Sequence, residues 1–296
     1  MANKSDLTSL AQTREPFVEY LRTQKRSIST ILAYGKDVSQ MMEHLEKKGV
    51  SDIGGVKSEH LEDFKSHLVQ ENYTLKSISR KLNSIKTFFR YIKSQGIVTA
   101  DPAATVSHPT YEVKPPRILS KMEYRALRDA CREDTRIAAI VELMLQTGIR
   151  IGEIARIELD EARDEELYIK PNQSQPARTI PLNKAAKNAL DAYLKERASA
   201  KTKVIFVTKT GRSFLARNIR AAINRYFRIA GIENASVNDL RNTWLAHHLA
   251  AGTNPVFLAK AAGHKRLATT EKYLQYIKEA TKEKSGEKEK NRLEEL

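Results

Sequence analysis

From Glu15 to Ala104 apolar residues recur every three or four positions. The sets are Phe17, Tyr20 and Leu21; Ile31, Tyr34, Val38, Met41, Met42 and Leu45; Leu61, Phe64 and Leu68; and Leu82, Ile85, Phe88, Phe89 and Ile92. Such spacing gathers each set on one face of a helix and predicts a bundle of four or five amphipathic helices. Lys47-Lys48-Gly49 and Gly96 mark helix ends, and Ser58 followed by Leu61 marks a start.

The periodicity lapses where Asp101-Pro102, His108-Pro109 and Lys114-Pro115-Pro116-Arg117 follow one another. Proline cannot continue a helix, so this stretch reads as a break between domains. The expected division is a helical domain over 11–107, a linker over 108–117, a second domain over 118–277 and a tail over 278–296.

Beyond the linker, Ser120 with Glu123 three residues later predicts a capping box, and Ile137 to Leu145 a strongly apolar helix. Glu166–Lys170, Arg178–Leu182 and Val204–Thr208 read as three short strands. Asn254 before Pro255 predicts a helix running toward Ala262. The fold class is mainly α with a small β-sheet: a helical bundle followed by an α+β domain.

Charge adds a partner to this picture. The 296 residues hold 51 Lys and Arg against 36 Asp and Glu, a formal charge of +15, and the pI is near 9.7. A polyanion is the natural partner, and nucleic acid outranks a membrane surface. Lys76, Ser77, Ser79, Arg80, Lys81, Lys86 and Arg90 lie between apolar stripes and form a candidate phosphate-holding face.

Other chemistry is set aside. Cys131 is the sole cysteine, which excludes an intrachain disulfide or thiolate metal site, and the histidines lack the i, i+4 spacing of a zinc site. No metal and no cofactor are expected. No apolar run approaches a membrane span, so the expected location is the reducing cytoplasm, in association with the nucleoid.

The remaining signal is a dispersed set: Thr147-Gly148-Ile149-Arg150-Ile151-Gly152-Glu153, Asn238-Asp239-Leu240-Arg241, Gly263-His264 and Tyr273. A guanidinium offers a planar fork that fits two non-bridging phosphate oxygens, and a tyrosine brought to the phosphorus can act as a covalent nucleophile. The set therefore reads as a phosphoryl-transfer site for nucleic acid. Tyr276 is a rival nucleophile by position.

These motifs resemble the signature of the tyrosine recombinases of the Xer and phage-integrase type, and Arg150 to Ile157 is a close match to that family's first arginine box. The resemblance spans most of the chain. It implies a SAM-like core-binding domain and a catalytic domain forming a C-shaped clamp on duplex DNA. Arg150 and Arg241 would hold the scissile phosphate, His264 would donate to it or help remove the tyrosine proton, Glu153 would support the arginines, and Tyr273 would form a 3′-phosphotyrosyl link. Strand exchange through a Holliday junction would involve a protein that is monomeric in solution and a homo-tetramer on paired DNA sites. Leu293 and Leu296 would anchor the tail on a neighbouring protomer.

Two positions depart from the family pattern. Asn238 stands where a histidine is usual, and it can hydrogen-bond a phosphate oxygen without exchanging a proton. The hairpin position that usually carries the leaving-group lysine falls near Gln173, which makes Lys170 the nearest substitute, or else an exposed strand-end lysine. Type IB topoisomerase activity, and a DNA-binding accessory protein without chemistry, are the alternatives to a recombinase.

Overall fold

Ser27 and Thr74 open the two longest helices, their hydroxyls accepting from the backbone N–H of Thr30 and Ser77. In the computed structural model, which describes residues 9–163, 165–172 and 175–277, the chain divides between Val113 and Lys114 into two units. The first contains α1 (Leu10–Thr23), α2 (Ile28–Lys47), α3 (Ser58–Gln70) and α4 (Leu75–Ser94). Their apolar faces meet in one core around Phe17, Met41, Phe64, Phe88 and Phe89. Phe17 and Phe88 pack edge to face with ring centres 5.3 Å apart, a favoured aromatic geometry.

The second unit is built around α6 (Thr135–Thr147), most of whose side chains are buried. Packed on it are α5 (Lys121–Cys131), α8 (Lys184–Glu196), α9 (Ala216–Ile229) and α10 (Val237–Ala250). Ser120 and Glu123 form the expected capping box before α5. α7 (Ile151–Ile154) is a single turn, and α11 (Pro255–Ala262) starts at the proline behind Asn254 as its sequence predicts. A further helix, α12, starts at 268 and runs to 277, where the described residues stop.

The sheet differs from the expected one in one strand. β1 (Ala162–Arg163), β2 (Glu166–Ile169) and β3 (Arg178–Pro181) lie in the order β1-β2-β3, antiparallel throughout. Leu167 pairs with Ile180, and both side chains are buried. Val204–Thr208 stays outside this sheet, making only isolated bridges from Val204 to Glu158 and from Val207 to Ser213. Its Ile205, Phe206 and Val207 are all buried in succession. A run buried on both sides is compatible with a strand covered on both faces; the lack of a continuous ladder is what keeps this one out of the sheet.

Among the described residues, no helix is long and apolar enough to cross a membrane, and no group of three His, Cys, Asp or Glu is placed to hold a metal ion. Gln173, Leu293 and Leu296 lie outside the described residues.

Candidate active site

The site forms around the C-terminal end of α11. A helix leaves its last carbonyls without partners inside the helix. Gly263 takes φ +63, which lets the chain turn so that Gly263 N–H donates to Lys260 O at 2.9 Å and His264 N–H to Ala259 O at 2.8 Å. The next three carbonyls accept from arginines. Arg178 Nε donates to Ala261 O at 2.7 Å. Arg150 Nη1 donates to Ala262 O at 2.8 Å and its Nη2 to Gly263 O at 3.0 Å. Arg241 Nη2 also donates to Ala262 O, at 2.7 Å. A Cβ on residue 263 would lie 3.0 Å from Arg178 Nη1 and 3.2 Å from Arg150 Nη1, so glycine also keeps room for the guanidiniums.

Each arginine arrives from a different element. Gly148, at φ +63, ends α6 and turns the chain so that Arg150 becomes the N-cap of α7. A Cβ at 148 would come within 2.1 Å of the Trp244 ring, so α10 packs flat against this turn. Arg241 projects from α10 and is 8% exposed; its Nη1 donates to Gly148 O. Arg178 comes from the first residue of β3. Its Nη1 and Nη2 donate to Glu153 Oε1 and Oε2 at 2.9 and 2.8 Å. Glu153 also accepts from Arg150 N at 2.9 Å and from Arg150 Nη1 at 3.4 Å.

Among the described residues, Glu153 is the only carboxylate bonded to these three guanidiniums, which leaves an excess of positive charge. Burial would raise the Glu153 pKa, but the bonds from Arg178 and Arg150 outweigh it and hold the carboxyl below its usual range. Burial, aided by repulsion from Arg150 and Arg178, brings Arg241 down to about 9. Arg150 is lowered too, chiefly by burial. An anion entering here would relieve that repulsion, so the charge balance suits the cluster to an anion.

His264 is lowered to about 4 by burial and by Arg241, Arg150 and Arg178, so it is neutral at pH 7. Its tautomer follows from its neighbours. Arg241 Nη2 lies 2.9 Å from His264 Nε2 and can only donate, so Nε2 carries the lone pair and Nδ1–H donates to Thr270 Oγ1 at 2.7 Å. Tyr273, on α12, is half-buried against the apolar cluster that α10 and α11 build from Trp244, Leu245, Leu249, Leu258, Ala261 and Ala262. Its hydroxyl donates to Asn242 Oδ1 at 2.8 Å. Burial raises the phenol pKa, against a lowering by Arg241. Tyr276 packs edge-on to Tyr273 with ring centres 6.5 Å apart.

The structure thus brings Arg150, Glu153, Arg241 and His264 into one bonded network, with Tyr273 held by the residue next to Arg241. Asn238 is exposed on the first turn of α10, and its side-chain amide bonds no described residue. Lys170 follows β2 with its side chain 53% exposed, paired with Glu158 and with Glu161 at 3.3 Å. The bond to Glu158 is the main cause of its raised pKa.

The candidate DNA face of the first unit is only partly where the sequence places it. Lys81 is buried, with Nζ 3.1 Å from Asp37 Oδ1 and 2.7 Å from Gln40 Oε1. Arg80 grips Asp37 with both Nη groups at 2.6 and 2.8 Å, and Ser84 donates to the same carboxylate at 2.7 Å. Both cations are paired with a buried charge, since an unpaired Asp37 in the core would be costly; Lys81 is enclosed there, and Arg80 stays exposed. Lys76 and Arg90 remain exposed, Lys86 is half-buried with Nζ 3.3 Å from Ala104 O, Ser77 bonds Thr74 and Ser79 bonds His108. In the second unit, α9 turns Arg217, Arg220 and Arg228 outward at one- and two-turn spacing, a basic face that sequence reading passed over.

Arg178, Asn242 and Thr270 are the site residues that sequence reading missed. Arg178 was legible only as the first residue of a strand, and nothing near it in the chain shows that the strand ends against α11.

Comparison with known proteins bears on the family. Residues 117–279 match the phage integrase family and residues 15–96 match the phage integrase N-terminal SAM-like domain. The tyrosine recombinase XerC of Anoxybacillus flavithermus is 27% identical over 277 residues, covering 89% of this chain and 92% of that protein. A lambda integrase dimer bound to a COC′ core site is similar with a TM-score of 0.76 at 17% identity, covering 91% of this chain and 78% of the other. A lambda integrase tetramer bound to a Holliday junction gives a TM-score of 0.74 at 17% identity, with coverage of 87% and 78%. With both of its units matched in chain order, the protein belongs to the phage integrase family.

Proposed function

We propose that the protein is a tyrosine-type site-specific DNA recombinase whose nucleophile is Tyr273. The observation that supports this most strongly is the convergence of Arg150 and Arg241 on the Ala262 carbonyl, with neutral His264 bonded to Arg241 and the Tyr273 hydroxyl held by Asn242, the residue next to Arg241. A scissile phosphate replaces part of the carbonyl contacts of Arg150 and Arg241. The forks then stabilise the charge that builds on the non-bridging oxygens of the pentacoordinate transition state. The Nε2 lone pair of His264 accepts from Arg241 in the free protein; when Arg241 turns to the phosphate the lone pair is released, and His264 accepts the Tyr273 proton rather than giving one up.

The step is balanced without an external energy source. The Tyr273 oxygen forms a bond to phosphorus, the bond to the 5′ oxygen breaks, and that oxygen takes a proton from Lys170. The 3′-phosphotyrosyl link conserves the bond energy, and attack by a 5′-hydroxyl of a second duplex reverses the reaction. Asn238 bonds a phosphate oxygen, and Arg178 positions Glu153. Lys76, Arg90 and the outward arginines of α9 contact phosphates along the duplex. Recombination pairs two sites, so the working form is a tetramer on synapsed DNA that passes through a Holliday junction, and the nucleoid is its place of action.

Trapping on nicked suicide duplexes, drawn from the DNA that neighbours the gene, tests this reading. Wild type forms a covalent protein–DNA band, whereas Tyr273→Phe keeps its gel shift and forms none. A covalent band from the Phe variant moves the nucleophile to Tyr276.

A further inference from the structure

The Tyr273 hydroxyl is the end of a short chain of hydrogen bonds. It donates to Asn242 Oδ1 at 2.8 Å, and Asn242 Nδ2 donates to Asp239 Oδ1 at 3.1 Å. Asp239 Oδ2 accepts from Ser236 N at 2.7 Å and from Ser236 Oγ at 2.9 Å. A carboxylate can only accept, so the Asn242 amide has one orientation, with its NH₂ toward Asp239 and its oxygen toward the phenol. Asp239 and Asn242 are three residues apart on one side of α10, and Arg241 leaves the same turn. The helix that supplies a phosphate-binding arginine thus also grips the tyrosine of α12.

We propose that Asn242 is a positioning residue for the nucleophile, which aims the Tyr273 hydroxyl and keeps its proton in place until a phosphate enters. For the reaction it serves, this rests on the recombinase reading above; the hydrogen bond itself does not. An amide oxygen favours the neutral phenol over the phenolate and cannot take up the proton. The charged and titratable groups that face the ring are Arg241 and Asp239 from α10 and Tyr276 from α12. Burial is the main factor holding the phenol neutral, and Tyr276 and Asp239 add to it against Arg241. Attack then begins when the hydroxyl leaves Asn242 for the proton acceptor beside the phosphate.

The test uses full-length, DNA-free protein labelled with ¹³C at the tyrosine ring Cζ, with Tyr273→Phe identifying the resonance. Asn242→Ala, a half-buried change to a strong helix former, removes the acceptor and admits water, lowering the titration midpoint of Tyr273 by about half a pH unit or more. Asn242→Asp places an anion beside the phenol and raises it. An unchanged midpoint in both variants overturns the proposal. In suicide-duplex trapping, Asn242→Ala slows covalent attachment roughly ten- to a hundredfold and moves its pH profile downward; wild-type rate and profile in that variant also overturn it. Shifted NMR midpoints together with a wild type that never attaches to DNA uphold the coupling of Asn242 to Tyr273 and reject the recombinase reading instead.

Discussion

Arg178 and Glu153 meet fork to fork, with Nη1 to Oε1 at 2.9 Å, Nη2 to Oε2 at 2.8 Å and side chains only 7% and 6% exposed. Glu153 therefore has both oxygens fixed by Arg178 and can offer Arg150 only its remaining lone pairs. Arg150 turns Nη1 and Nη2 to the carbonyls of Ala262 and Gly263, where an anion can replace them, and Nη1 also reaches Gln175 Oε1 at 3.1 Å.

Removing Arg178 leaves a buried carboxylate without its main partner. Arg178→Met is expected to destabilise the second unit by about 3–5 kcal/mol, and Arg178→Met with Glu153→Leu to recover part of that loss. Trp244 is the only tryptophan of the chain and lies in this unit. Its fluorescence during urea unfolding reports the unit directly, and a loss under 1 kcal/mol would show that the pair contributes little.

Arg241→Lys keeps the charge and loses the fork. Cleavage should fall by roughly two orders of magnitude or more, measured as the single-turnover rate of covalent attachment. A rate within a few-fold of wild type would take Arg241 out of phosphate binding.

Lys170 is held charged by Glu158, as a proton donor must be at neutral pH. Lys170→Ala should slow cleavage of an ordinary phosphodiester far more than cleavage of a 5′-phosphorothiolate, whose sulfur leaves without a proton. Equal slowing on both substrates would assign Lys170 to its ion pairs alone.

His264 titrates at about 4 in the folded protein against an ordinary 6.5. Between those values the unfolded chain binds a proton that the folded chain refuses. The stability involved is complete above pH 6.5 and is lost as pH falls toward 4, on the order of 2–3 kcal/mol in all. His264→Gln should flatten that part of the stability curve followed by Trp244 fluorescence; an unchanged slope would show that other groups set it.

What the sequence made legible follows the reach of its patterns. Arg150, Arg241, His264 and Tyr273 stand in recognisable motifs, and the helices of both units follow from apolar spacing. Arg178 and Asn242 act through contacts made across the fold, to Ala261 and Glu153 and to Tyr273, and no local pattern marks such partners. Lys81 is a different case. It lies three residues after Ile78 and four before Ile85, so helical phase already places it on the apolar face of α4. Asp37 likewise lies four before Met41 on α2, on the matching face. Charge alone therefore misplaces Lys81, whereas Arg80 stays exposed while its guanidinium reaches Asp37. The apolar run Val204–Thr208 has a strand's composition, and what separates it from one is pairing: it makes isolated bridges and no ladder.

The arginines of the site grip main-chain oxygens of residues 261–263, which every amino acid carries. The identity of the exposed α11 side chains is therefore free to drift, and Val256, Phe257 and Lys260 can be exchanged with little effect on the cluster, whereas Leu258, Ala259, Ala261 and Ala262 are held by burial. The helix's angular register is fixed far more strictly. One residue inserted or deleted between Pro255 and Ala262 would turn those oxygens by about 100° and disband the cluster with every arginine still present. In this family member the segment behaves as a key whose cut lies in its length, and its spelling is secondary.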